Sequence, residues 1–196
     1  DTVRNRAWYY LAKIYWQRGE TEHALQTLQQ IDGRVSRSTA AESAHLESLA
    51  LLQLGRHEEA IRLLQQTRGD NRWTPYLQYN LAVAQLQGTQ TAAGIKQLER
   101  IGDLRGHSDE ARLLRDKANL ALGYSLLKDG AAAASRGALE RVRLQGPLSN
   151  KALLGTGWAD AEAGAYAHAL VPWTELSNRS ATDPAVQESL LAIPYA

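Results

Sequence analysis

Residues 7–31 read AWYYLAKIYWQRGETEHALQTLQQI, and the spacing of apolar and small side chains in this stretch decides the fold. Trp8, Leu11, Ala12 and Tyr15 fall on one face of a helix that runs up to Gly19. Ala24, Leu28 and Ile31 do the same on a second helix beyond it. Glycine adopts the positive φ that ends a helix tightly, so Gly19 marks the turn of a helix hairpin. The small side chains of Ala12 and Ala24 let the two helices approach closely. Trp8, Leu11, Tyr15 and Leu28 then fill the space around that contact.

The same arrangement recurs along the chain. Turn glycines stand at Gly19, Gly55, Gly88, Gly130 and Gly164, at intervals of 36, 33, 42 and 34 residues, each between two amphipathic stretches. LESLALLQLGRHEEAIRLLQQT (46–67) places Gly55, Ala60 and Leu64 in register, with Glu47 where a large apolar residue is expected. YLQYNLAVAQLQGTQTAAGIKQLERI (76–101) supplies Leu81, Ala82, Gly94, Leu98 and Ile101, its turn glycine one place early. Residues 117–147 offer Leu122, Gly123, Leu126, Leu139 and Val142, and then Pro147, which cannot continue a helix. Residues 150–176 give Leu153, Gly157, Ala169, Trp173 and Leu176, with Pro172 inside the second helix, where a kink is expected.

These units resemble the tetratricopeptide repeat over roughly residues 5–180. The resemblance implies an all-α, right-handed superhelical solenoid of antiparallel helix pairs. One solenoid over 1–196 is expected, with repeats near 5–38, 41–74, 75–108, 116–149 and 150–182. Residues 183–196 then begin a further or capping helix, with Asp183 as N-cap and Pro184 at its first position. Longer links fall at 32–40, 67–75 and 102–109; Trp73, in the second of them, is expected to pack between repeats or to cap one.

Composition narrows the function. The 196 residues carry 22 basic and 21 acidic side chains, a net charge of +1, without the basic stripe of a nucleic-acid binder. The densest basic runs, Arg34 to Arg37 and Arg141 to Arg143, are short and read as solvated surface. Cysteine is absent, and His23, His45, His57, His107 and His168 lack ligand spacing, so neither metal nor other cofactor is expected. No apolar run reaches the roughly 20 residues of a membrane span. The chain opens at Asp1 without a signal peptide and stops in the apolar stretch SLLAIPYA, as an internal fragment of a longer protein would. Its 17 Arg against 5 Lys suit a GC-rich bacterial source, and both cytoplasm and periplasm stay open.

Catalytic motifs are missing: there is no G-x-S-x-G elbow, phosphate loop or H-E-x-x-H. GTGWAD (155–160) looks like a glycine loop, but its glycines sit at helix-packing places. Glu58–Glu59 and Asp109–Glu110 read as helix-start charges that favour the macrodipole. The chain is therefore expected to be a non-enzymatic scaffold for a protein or peptide partner.

In the family, the first helix of each repeat lines the concave surface. That register places Arg6, Tyr9, Lys13 and Trp16 there, then His45, Tyr76 and Tyr79, and then Lys117, Tyr124, Lys128 and Trp158. The recurring aromatics and lysines suggest a groove for an acidic or carboxylate-bearing segment. The two-carboxylate clamp of chaperone-binding members is not met. Asn80 and Lys117 match it, but His45, Leu49 and Ala121 stand where Lys, Asn and Arg belong. Two alternatives accompany the groove: self-association through the solenoid ends, and contact with carbohydrate in bacterial exopolysaccharide export.

Overall fold

The computed structural model describes residues 2–33 and 35–196. Asp1, and Arg34 at one end of the first basic run, lie outside the described residues. Among the described residues the regular structure is entirely helical. In order it comprises α1 (Thr2–Gln17), α2 (Thr21–Leu28), α3 (Arg37–Gln53), α4 (His57–Gln66), α5 (Thr74–Gln87), α6 (Thr91–Gly102), α7 (Asp109–Lys128), α8 (Ala132–Leu139), α9 (Ser149–Glu162), α10 (Tyr166–Ser177) and α11 (Pro184–Ala192), closed by a 3-10 turn over Ile193–Tyr195. The chain forms two compact units, residues 1–97 and 98–196, with the boundary inside α6.

In the first unit each of α1 to α4 packs on the helix that follows it, and α1 also meets α3, as α3 meets α5. The second unit repeats the pattern from α7 to α11, with α7 meeting α9 and α9 meeting α11. Contacts to the next helix and to the next-but-one are what stacked helix pairs produce, since each pair buries its face against its neighbour. The tetratricopeptide-like fold expected from the sequence is the fold observed.

Four of the five turn glycines act as expected. Gly19, Gly55, Gly130 and Gly164 have φ between 72° and 76°. At each, the residue after the glycine donates its N–H five residues back: Glu20 to Tyr15 O, Arg56 to Leu51 O, Ala131 to Leu126 O and Ala165 to Asp160 O, at 2.8–2.9 Å. The glycine N–H bonds three residues back, completing a Schellman motif that satisfies two orphan carbonyls. Gly88 departs from this. Its φ is −96°, and it is held instead by close packing, since a Cβ there would lie 2.9 Å from Ala84 O and from Glu58 Oε1. The long interval between Gly88 and Gly130 is taken up by loop 103–108 and by the twenty residues of α7.

Small residues mark the helix crossings. Ala12 and Ala24 are fully buried, and Ala12 joins Leu28 and Leu46 in one core cluster flanked by Tyr9, Trp16 and Ile31. In the second unit, a Cβ on Gly123 would meet Leu139 Cδ2 at 2.6 Å, and one on Gly157 would lie 2.5 Å from Trp173 Cε2. Trp173 is itself buried among Leu154, Ala169, Leu176 and Val186, and its indole N–H donates to Leu154 O at 3.2 Å. GTGWAD is thus the interior of α9, and its glycines admit the side chains of neighbouring helices. Helix α10 runs through Pro172 to Ser177 as a single helix, with Pro172 buried.

A second device is polar. Asn5, Asp116 and Asn150 each stand fourteen residues before a Schellman glycine. Each ties its own helix to the segment that ends the repeat. Buried Asn5 donates to Asp32 O at 2.7 Å, and buried Asp116 accepts from Arg143 Nε at 2.7 Å and from Arg143 N at 3.3 Å. Asn150 bonds both Asp183 and Arg179. The Asp183 carboxyl lies below its ordinary range because Asn150 and the Ala185 N–H donate to it, which fixes it as the N-cap of α11.

Candidate partner-binding site

The face expected to bind is assembled in the first unit by contacts between its first helices. On α1, Arg6 is exposed and Tyr9 is half-buried on the Ala12–Leu28–Leu46 cluster. The Lys13 ammonium lies 5.7 Å from the Tyr9 ring centroid, in cation–π range. Burial, then the nearby Glu42 carboxylate and then Tyr10, push the Tyr9 hydroxyl above its ordinary pKa. Glu42 sits on α3, so the α1 cations face a surface that carries an acid as well. Trp16 is half-buried and packs on two clusters, one with Ala12 and Leu28 and one with Leu25 and Ala50.

From α3 to α5 the face is aromatic. His45 lies 5.2 Å from the Trp73 ring and 5.8 Å from Tyr76, and Trp73 and Tyr76 are 5.9 Å apart. Trp73, in the link before α5, packs on the Ala41–Ala44–Leu64–Leu77 cluster, directly ahead of the first turn of α5. An Asx turn sets it there: Asp70 Oδ1 accepts from the N–H groups of Arg72 and Trp73 at 3.1 Å. Arg72 covers its outer ring face at 5.6 Å. Next along α5, burial alone pushes the Tyr79 hydroxyl up to about 12. Asn80 is buried and donates to Ser48 Oγ at 2.8 Å, with His45 Nδ1 at 3.2 Å. Its amide is therefore engaged between helices.

The second unit uses its aromatics differently. Tyr124 donates its hydroxyl to Lys151 O at 2.8 Å, and its ring lies over Gly155, joining α7 to α9. Burial and the Glu188 carboxylate push that hydroxyl up to about 12. Trp158 is 36 % exposed; its N–H donates to Glu188 Oε1 at 2.9 Å and its ring meets Trp173 edge-on at 5.0 Å. Both polar handles are engaged within the unit, so these side chains brace α7, α9 and α11. Lys117 and Lys128 are exposed on α7.

Away from this face, most of the conspicuous charges have local partners. Arg141 pairs with Asp103 at 2.9 Å and Arg143 with Asp116. Glu58 and Glu59 open α4 as expected, but Glu58 also accepts from the Thr89 N–H and hydroxyl, which lowers its pKa. Among the described residues no group of three or more His, Asp or Glu could hold a metal ion, and no helix is long and apolar enough to cross a membrane.

The family model for the tetratricopeptide repeat matches residues 45–103 and 120–177, well over half of the sequence. The chain belongs to the tetratricopeptide repeat family. The solved structure of MamA AMB-1 is similar in fold, with a TM-score of 0.62 and 14% identity over 96% of this chain and 99% of that one. A point mutant of MamA gives 0.60 at the same identity, over 88% of this chain and 95% of that one. At that identity the likeness is one of fold. No curated protein matches the sequence. Tetratricopeptide repeats are non-catalytic scaffolds for protein partners, and membership makes this chain an interaction scaffold.

Proposed function

We propose that the first unit binds an extended peptide segment carrying an acidic or carboxylate group beside an apolar side chain, along the face of α1, α3 and α5. The observation that carries this reading is Lys13 set over the Tyr9 ring, with exposed Arg6 seven residues before Lys13 on the same helix. A cation held against an aromatic face offers a carboxylate an ion-pairing group and its neighbour a rigid apolar surface. Tyr76, Tyr79 and His45 extend the apolar surface, and Glu42 disfavours a uniformly acidic ligand. Lys117 and Lys128 of the second unit are further cations for the same class of ligand. Tyr124 and Trp158, being braces, contribute ring edges rather than polar handles.

Selection from a random displayed-peptide library tests this. Enriched peptides are expected to pair an acidic residue or a free C-terminus with an apolar one. Charge reversal at Arg6 and Lys13 together should weaken the best peptide at least about tenfold, and more at low salt, because rim charges act through screened fields. Gln29→Ala, on an exposed part of the α2 end, should change nothing. Peptides without acidic character, or binding that survives the double reversal, would reject the reading.

A further inference from the structure

Among the cations and rings of the α1–α3–α5 face stands a carboxylate, Glu42. Counted back from its turn glycine, Glu42 lies thirteen residues before Gly55, as Arg6 lies thirteen before Gly19. His45 and Tyr9 lie ten residues before the same two glycines. Helices α1 and α3 are in contact, so Glu42 and His45 form the row beside Arg6 and Tyr9.

Glu42 is half-buried, and among the described residues it makes neither a hydrogen bond nor an ion pair. Its carboxylate lies near enough to Tyr9 to add to burial in raising the pKa of that hydroxyl. Arg6 and Lys13, the cations of the neighbouring helix, are not paired with it. A carboxylate partly withdrawn from water without a counter-charge is costly, and an arriving cation removes that cost. The surroundings suit a cation. His45, three residues on and so on the same side of α3, lies 5.8 Å from the Tyr76 ring. Rings beside a carboxylate add cation–π attraction to the ion pair.

We propose that Glu42, with the His45 and Tyr76 rings beside it, binds a lysine or arginine side chain of the partner, so that this face reads one acidic and one basic residue in a single segment. The proposal rests on the peptide reading and supplies its second charge. Packed helices lie about 8–10 Å apart and an extended chain advances about 3.3 Å per residue, so the two charges of the partner stand about three residues apart.

Panning one random displayed-peptide library against three forms of the chain tests it: the parent, Glu42→Gln, and Arg6→Gln with Lys13→Gln. The parent should enrich peptides with Lys or Arg about three residues from the acid. Glu42→Gln should lose the basic preference and keep the acidic one, and the double variant should do the reverse. Glutamine keeps the shape of the side chain, so helicity should be unchanged; if the variant unfolds, Glu42→Ala replaces it. In direct titration Glu42→Gln should weaken the best parent-selected synthetic peptide about fivefold, the size of a partly screened ion pair. It should not weaken the same peptide with alanine at the basic position. A parent selection without basic preference overturns the proposal, as does a basic preference that Glu42→Gln leaves unchanged. If acids are still enriched through Arg6 and Lys13 in that case, the peptide reading stands without it; if they are not, both fall.

Discussion

Gly157 and Gly137 both lie inside helices of the second unit, so the same substitution by alanine isolates packing from helix propensity. Alanine gains about 1 kcal/mol over glycine in a helix interior wherever its methyl group finds room. At Gly137 nothing lies within 4 Å of the added Cβ. Gly137→Ala should therefore stabilise the unit by up to about 1 kcal/mol. At Gly157 the Cβ would lie 2.5 Å from Trp173 Cε2 and 2.6 Å from its Cδ1. Trp173 is 1% exposed and cannot retreat without breaking its bond to Leu154 O. Overpacking of this kind costs about 1–3 kcal/mol, and the lost hydrogen bond about 1 more. Set against the propensity gain, Gly157→Ala should destabilise by about 2 kcal/mol, leaving a gap of about 3 kcal/mol between two chemically identical changes. Urea melts followed by far-ultraviolet circular dichroism at 222 nm read this as midpoints shifted in opposite directions. Stabilisation by Gly157→Ala, or equal loss at both sites, would refute the assignment of Gly157 to a crossing under Trp173.

Ala12→Leu should overpack the α1–α2 crossing and cost about 1–3 kcal/mol, read as a lowered thermal midpoint, because Ala12 is fully buried. Glu47 makes stability depend on pH: burial raises its pKa, Arg56 opposes this in part and Glu59 adds to it. The fold therefore binds this proton more tightly than the unfolded chain does, so stability falls as pH rises from the ordinary carboxylate range through the raised value. Glu47→Gln should match the parent at pH 4 and exceed it at pH 7 in urea midpoint; a pH-independent difference would place the carboxyl in water.

The helix pairs were legible because their signals are local and few residues can supply them. Only glycine takes φ near +74° without strain, so Gly19, Gly55, Gly130 and Gly164 mark their turns directly. Gly88 carried the same letter for another reason, contact with Ala84 and Glu58, and a single letter does not separate the two. Asn5, Asp116 and Asn150 were missed because a polar residue near a helix start reads as solvated. Their partners, Asp32, Arg143 and Asp183, lie about a full repeat downstream. The aromatic stripe was legible as a stripe but not as a site. Tyr9 and Tyr124 are both expected on the concave face, yet one lies under a lysine and the other bonds a backbone carbonyl across a helix contact. The signal that separates them is the glycine facing Tyr124, Gly155, which admits its ring.

The central claim, that the α1–α3–α5 face of the first unit holds the partner, is tested most directly by site-specific photo-cross-linking with the best selected peptide. A photoreactive residue in the peptide, next to its acidic residue, should form its adduct beside Tyr9, Tyr76 or Tyr79, with none near Gln29. An adduct near Gln29 with none on α1, α3 or α5 would contradict the account.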